Sequence, residues 1–300
     1  MNVFDNLKKE FQKEWIEQFL SEKGRQTENA LRFYLYQLQC PIMGLMEAME
    51  YSLFSGGKRL RPALVLGSAE LFGGDINQVM PCACAIEMIH TYSLIHDDLP
   101  ALDNDDFRRG KLTLHKAYGE AVALLAGDGL LTLAFELLAN TGNVEVVAEV
   151  ARAAGVNGMV GGQYLDIQAE SKEIPIESLQ EIHHKKTGTL ICASLRCGAL
   201  LSKADSDELN DITEYGKNIG IAFQIVDDIL NVIGDEKILG KPVGSDKKHK
   251  KSTYPTLLGM EQSQQIAVEH INKAISALNH FGDKAEIFRQ LALYVLFRNH

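Results

Sequence analysis

Five cysteines in 300 residues, an odd number, are too few and too irregularly placed to staple a fold. Cys40, Cys82, Cys84, Cys192 and Cys197 lack the two-residue spacing of a zinc knuckle, so a disulfide framework and a structural zinc site are both excluded and the thiols read as buried and reduced. Proline is scarce too, at seven residues, and no Pro/Ser/Gly-rich spacer, low-complexity tract or internal repeat divides the chain, which predicts one domain over residues 1–300. Strand-type alternation is nearly absent. No uncharged stretch reaches 18 residues and Met1–Glu10 carries no apolar signal core, so no membrane span and a soluble, cytoplasmic protein are expected. A basic excess is missing too: the net charge of −10 argues against a nucleic-acid partner, and any anionic ligand must be held by local cations. The one basic run, Lys247-Lys248-His249-Lys250-Lys251, reads as a solvated or substrate-closing loop.

What is present is helical periodicity in a chain that is 46% hydrophobic. The pattern predicts an all-α bundle of ten or more helices, with helices near 5–22, 27–39, 42–54, 61–72, 78–99, 119–139, 144–170, 176–201, 206–233, 253–258, 263–279 and 283–298. The segments 119–139 and 206–233 are apolar on more than one face, which suits central helices or a homodimer contact. The longest irregular stretch, Gly234 to Ser252, holds Gly240-Lys241-Pro242-Val243-Gly244 and reads as a lid or binding loop.

Two acidic clusters interrupt the apolar helices. His96-Asp97-Asp98-Leu99-Pro100-Ala101-Leu102-Asp103-Asn104-Asp105-Asp106 follows the run Ala83 to Ile95, and Gln224-Ile225-Val226-Asp227-Asp228-Ile229-Leu230-Asn231 comes about 130 residues later. Carboxylates this close resist ionisation unless cations sit among them, and hard oxygen donors select Mg²⁺ or Ca²⁺. Magnesium prefers one or two carboxylates completed by substrate phosphates, so two half-sites imply a phosphorylated ligand between them. On an uninterrupted helix Asp103 would lie roughly 120° from Asp97, and Pro100 predicts a kink or bulge that returns it to Asp97. Asp227 is expected to be the principal ligand of its motif, with Asp228 assisting or pointing elsewhere.

Ser55-Gly56-Gly57-Lys58-Arg59-Leu60-Arg61-Pro62 is a glycine turn feeding a helix, suited to phosphate but without Walker spacing, so Lys58 and Arg61 would clamp by their side chains. A rival reading rests on Glu87-x-x-His90 and Glu181-x-x-His184, which fit the di-iron bundle pattern. It leaves the aspartate pairs and the basic residues without purpose.

With these motifs placed, the sequence resembles the trans (E-type) isoprenyl diphosphate synthases, and among them the bacterial farnesyl diphosphate synthases. The resemblance is carried in family order by residues 56–62, the first Asp-rich motif, Gly162-Gln163 with Asp166, Lys186-Thr187-Gly188, Phe223-Gln224 with Asp227-Asp228, and Gly240-Lys241. It implies that Asp97 and Asp103 bind two of three Mg²⁺ ions and Asp227 the third, with Mn²⁺ a substitute. It further implies that Arg108, Lys186, Thr187, Gln224 and Lys241 serve the allylic diphosphate, and that Gly57, Lys58, Arg61, His90 and Arg109 hold isopentenyl diphosphate. A homodimer is the implied assembly, and the resemblance also implies that the helices surround a central active-site cavity.

Cleaving an allylic C–O bond leaves a carbocation and a diphosphate anion, so metals and cationic side chains must stabilise the departing charge and no protein nucleophile is required. Tyr92 lies five residues before Asp97, roughly 7.5 Å down a helix axis, where a ring could floor the cavity. With Ser93 beside it, the family pattern points to a fifteen-carbon product; if Tyr92 is only core, a twenty-carbon geranylgeranyl product remains open. Asn231 and Asn104 depart from the family's acidic pattern at positions not assigned to metal. A terpene cyclase would not need Lys58, Arg61 and His90, and a non-catalytic partner subunit would not be expected to keep both acid motifs.

Overall fold

The structure is a computed structural model that describes residues 3–38, 42–233 and 251–298. Cys40, Gly240 and Lys241 therefore lie outside the described residues, as does the basic run up to Lys250. Among the described residues the chain is almost wholly helical: α1 (Val3–Glu10), α2 (Lys13–Tyr36), α3 (Met43–Leu53), α4 (Leu60–Leu71), α5 (Ile76–Asp97), α6 (Leu114–Tyr118), α7 (Glu120–Asn140), α8 (Val144–Ala154), α9 (Met159–Ala169), α10 (Ile176–His183), a π-helical turn His184–Gly188, α11 (Thr189–Leu201), α12 (Ser206–Ile233), α13 (Tyr254–Leu258), α14 (Met260–Ala277) and α15 (Glu286–Phe297). A two-stranded hairpin pairs Phe107–Arg108 (β1) with Lys111–Leu112 (β2). The four described cysteines are buried and free.

Local chemistry explains the helix starts. The Asp75 carboxylate accepts the Asn77 N–H at the head of α5, Asn143 accepts from Glu145 and Val146 at the head of α8, and Asp205 accepts from Asp207 and Glu208 before α12. Two predicted boundaries fall elsewhere, and a third helix keeps its predicted ends with an internal irregularity. The first break lies at Phe11–Gln12, not between 22 and 27: α2 runs through Gly24, which is buried against the Arg59 side chain. The predicted helix 144–170 is cut by Gly155 and Gly158, whose crowded backbone ends α8 before α9 begins. The predicted helix 176–201 is continuous but accommodates the wider π turn.

Two apolar cores share α4 and α11. One gathers α3, α5, α7 and α8, the other α12, α14 and α15. At the α4–α11 crossing the backbones nearly touch: a Cβ on Gly198 would meet the Val65 carbonyl oxygen at 2.3 Å, and the Ser68 hydroxyl donates to the Leu195 carbonyl at 2.7 Å. Long helices from each core, α5 and α12, carry the acid motifs at or near their C-terminal ends. Burial of the α5 and α12 faces thus places charged residues that neither core could accept. Among the described residues one helix, α7, is long and apolar enough to cross a membrane by length and composition alone; less than half of it is buried, and Leu124 and Leu125 are exposed.

Candidate active site

The first acid motif is made by ending a helix: Asp103 returns to Asp97 as expected, through a turn after α5 and not through a kink or bulge within a continuing helix. α5 stops at Asp97; the Leu102 N–H donates to Leu99 O, and the Asp103 N–H donates to Asp97 O at 2.9 Å. Asn104, at φ 50°, then also donates to Leu99 O, so the chain doubles back and brings the two aspartates together without a bent helix. Burial pushes the Asp97 carboxyl up to about 6; Lys186 opposes that shift and Asp103 adds to it. Asp98 turns away and holds Arg108 through both oxygens at 2.9 and 3.0 Å from its Nε, a fork that fixes Arg108 beside the motif.

Across from it stands the π turn. Its Lys186 ammonium lies 2.7 Å from Asp166 of α9, and the Thr187 hydroxyl donates to the Gln224 Oε1 on α12 at 2.9 Å. Asp227 is one turn farther along α12, with the Arg298 guanidinium 3.5 Å from its Oδ1. The π turn is therefore the common neighbour of both motifs: Lys186 acts electrostatically on Asp97, while the adjoining His183 feels both Asp166 and Asp227. Burial holds His183 down at about 4, so its ring is neutral at ordinary pH. The turn is wedged between two glycines, since a Cβ on Gly162 would meet the Lys186 nitrogen at 2.2 Å and one on Gly220 the Gly188 Cα at 2.9 Å. Gly162→Ala should accordingly cost about 1–3 kcal/mol by overpacking. A thermal melt beside wild type checks this, and an unchanged midpoint would refute the wedge.

The glycine turn builds a basic wall. Gly56 and Gly57 have φ of 95° and 116°, a backbone conformation that favours glycine, and a Cβ at Gly57 would lie 2.7 Å from the Arg109 guanidinium and displace it. Arg109 donates to the Gly56 carbonyl. Arg59, also left-handed, is buried and bonds Glu87 at 2.6 Å, Glu28 at 2.9 Å and the Leu53 carbonyl at 2.6 Å, which anchors the turn from behind. Burial, opposed by Glu87, brings Arg61 down to about 10, with Arg109 adding repulsion, and its buried Nε has no hydrogen-bond partner. Burial and then the Arg61 and Arg109 charges push His90 well below its ordinary value, so it is neutral. Glu87 is buried in its ion pair with Arg59 whereas Glu181 lies exposed on the surface, so the two do not face one metal site, which removes the di-iron reading. Lys58, over the Tyr294 ring at 5.1 Å, is lowered to about 8 by burial and then by Arg298. A cavity of about 400 Å³ beside it is lined by Glu17, Ser21, Arg25, Glu28 and Tyr294 and contains neither acid motif.

Tyr92 is 7% exposed and meets His96 edge to face at 5.7 Å, while the Ser93 hydroxyl donates to the His90 carbonyl at 2.8 Å. Among the described residues no three His, Cys, Asp or Glu side chains converge as a ready-made cage. The donor set still fits hard cations: Asp97 and Asp103 crowd one another and Asp227 is partly exposed, so ligand oxygens would complete any coordination. Sequence reasoning missed Lys251. Its ammonium sits 2.9 Å from Asp166 and 3.8 Å from both Asp103 and Glu170. Burial opposes this charge, yet the carboxylates raise its pKa, and Lys186 with Lys251 holds Asp166 down at about 2 despite burial. A lysine inside a basic run gave no signal of which member turns inward. The Gln163 amide, three residues before Asp166 on α9, is buried with no hydrogen-bond partner at either end.

Residues 43–291 match the Polyprenyl synthetase family. The chain is 44% identical to farnesyl diphosphate synthase of Geobacillus stearothermophilus, covering 95% of this chain and 98% of that protein. It is 46% identical to a geranylgeranyl diphosphate synthase of Cyanophora paradoxa over 85% of this chain and 88% of that one. A crystal structure of a polyprenyl synthase from Caulobacter crescentus, complexed with calcium and isoprenyl diphosphate, superposes with a TM-score of 0.87 at 27% identity, covering 95% of this chain and 98% of the other.

Proposed function

The chain belongs to the polyprenyl synthetase family, and from that premise we propose that it is a divalent-metal-dependent prenyltransferase that condenses dimethylallyl and then geranyl diphosphate with isopentenyl diphosphate to give farnesyl diphosphate. The observation that carries this reading is the pairing of two sites around one wall: carboxylates from α5 and α12 flanking the π turn, and beside them Arg61 and Arg109, two neighbouring cations whose mutual repulsion a diphosphate would relieve. Asp97 and Asp103 would hold two Mg²⁺ ions and Asp227 a third, with Mn²⁺ able to replace them. Bound there, the ions would supply charge stabilisation to the departing diphosphate.

The chain's own residues do the rest. Arg108, Lys186 and Lys251 present positive charge to the allylic diphosphate, with Lys241 assigned to the same group from the sequence. Thr187 and Gln224, already hydrogen-bonded, and the wider-spaced carbonyls of the π turn face the cation that forms when the C–O bond breaks. Gly57, Lys58, Arg61, His90 and Arg109 orient isopentenyl diphosphate so that its double bond attacks that cation. The released diphosphate is the base for the final proton, which is consistent with His90 and His183 both being neutral and buried away from a catalytic base's usual pKa. The exposed apolar residues of α7, Leu124 and Leu125, are the surface assigned to a homodimer contact.

Purified protein given Mg²⁺ and both substrates should yield a fifteen-carbon diphosphate on chromatography, and nothing from the allylic substrate alone. Turnover of the allylic substrate alone would make it a cyclase, and no product from folded protein would make it a non-catalytic subunit.

Lys58 adds a pH signature. A lysine held at about 8 is charged below that pH and loses its charge as pH rises through it. The KM for isopentenyl diphosphate should therefore climb above pH 8, approaching about tenfold per pH unit. Lys58→Arg should flatten the climb, and a wild-type KM constant to about pH 9.5 would remove Lys58 from the site.

A further inference from the structure

Asp227 and Asp228 are neighbours in sequence and opposites in environment. The Asp227 side chain is 40% exposed, that of Asp228 only 5%. Adjacent residues on a helix point about 100° apart, so the two carboxylates cannot serve one cation from the same side. Asp228 Oδ2 instead accepts the backbone N–H of Tyr254 at 2.9 Å, and its Oδ1 lies 3.7 Å from the His183 Nε2. The His183 ring stacks on the Tyr254 ring at 5.7 Å and 26°, and Tyr254 is fully buried. Thr253, just before it, exchanges capping hydrogen bonds with Thr256. Tyr254 is thus gripped by α12 and α10 together. Three residues upstream of that grip is Lys251, among Asp103, Asp166 and Glu170.

We propose that Asp228 is a positioning residue: it anchors the chain at Tyr254, thereby sets the Lys251 ammonium among the carboxylates, and leaves cation binding in its motif to Asp227. This deepens the proposed function and rests on its assignment of Asp227 as a cation ligand. A carboxylate accepting an N–H at the first residue of a helix is a strong cap. Asparagine presents an oxygen of the same shape to the same N–H, whereas alanine leaves that buried N–H without its acceptor.

The test uses full-length wild type, Asp228→Asn, Asp228→Ala and Asp227→Asn. Mn²⁺ binding in the presence of inorganic pyrophosphate is followed by electron paramagnetic resonance. Hydrogen exchange of the 253–258 amides and the rate of Lys251 acetylation by acetic anhydride are read by mass spectrometry. Asp228→Asn should bind Mn²⁺ within about twofold of wild type and exchange slowly, while Asp228→Ala should speed both exchange and acetylation at least about tenfold. Asp227→Asn should weaken Mn²⁺ at least about tenfold with exchange unchanged. The proposal is overturned if Asp228→Asn loses Mn²⁺ as Asp227→Asn does, or if Asp228→Ala leaves exchange or acetylation at the wild-type rate. Should Asp228→Ala not fold, Asp228→Ser, too short to reach the amide with the same geometry, takes its place. If Asp227→Asn binds Mn²⁺ normally, the cation assignment has failed, and the anchor is then decided by exchange and acetylation alone.

Discussion

Asp97→Ala should leave a folded protein that makes prenyl product at about a thousandth of the wild-type rate or less. Metal-borne charge stabilisation at a departing phosphate is worth several kcal/mol, and each 1.36 kcal/mol is about tenfold in rate. Asp97 is the member of the first motif at the end of α5, beside Asp103 and within the field of Lys186, so its loss removes a donor from the place where leaving-group charge would collect. The fold should not suffer. Burial makes the ionised Asp97 unfavourable without a bound cation, and removing it relieves that cost together with its repulsion from Asp103 and Asp98. The thermal midpoint without metal should hold or rise while product formation collapses, and adding Mg²⁺ should raise the wild-type midpoint more than the variant's. Retention of more than about a tenth of wild-type turnover at saturating Mg²⁺ would mean that Asp97 is not a metal donor.

The opposite behaviour of fold and turnover at one residue reflects how the sequence announces this site. Acids in apolar helices stand out because no core tolerates them, so Asp97, Asp103 and Asp227 were legible from composition against periodicity. The helical class was legible for the same reason: 3.6-residue spacing survives in nearly every segment. What stayed hidden depends on contacts far along the chain. Gly24 looks like a helix break until Arg59 is seen packing toward it, and Gly155 with Gly158 look tolerable inside a helix until their crowded backbone ends it. Pro100 drew attention to the right place for an incomplete reason, since the return of Asp103 is made by the turn and the left-handed Asn104. Asp228 could not be separated from Asp227 by type or spacing. Only the burial of one and the exposure of the other assigns them different work. The π turn has no signature in Lys186-Thr187-Gly188 by itself, because it depends on Gly162 and Gly220 from two other helices.

Tyr92→Ala should move the product from fifteen carbons to twenty and beyond, changing the ratio of longer to fifteen-carbon product by at least about tenfold. Overall similarity does not decide chain length here: the Geobacillus farnesyl and the Cyanophora geranylgeranyl synthases are 44% and 46% identical to this chain. A local obstacle must therefore do it. Tyr92 lies more than one turn below Asp97 on α5, buried and braced edge to face by His96, whose ring in turn packs against Gly127 of α7 and faces the Leu124 carbonyl at 3.1 Å. A braced ring cannot swing aside for another five-carbon unit, and placing one against it costs more than the 1–3 kcal/mol typical of about one misplaced methylene. Deleting the ring opens the space and should lower stability by about 3–5 kcal/mol, so products must be compared at a temperature where the variant is folded. Tyr92→Phe keeps the ring and should keep the fifteen-carbon product, which separates shape from the hydroxyl. If Tyr92→Ala still stops at fifteen carbons, Tyr92 is only packing for α5, and the floor of the cavity must be sought on the other helices that pack against α5, α7 and α4 foremost.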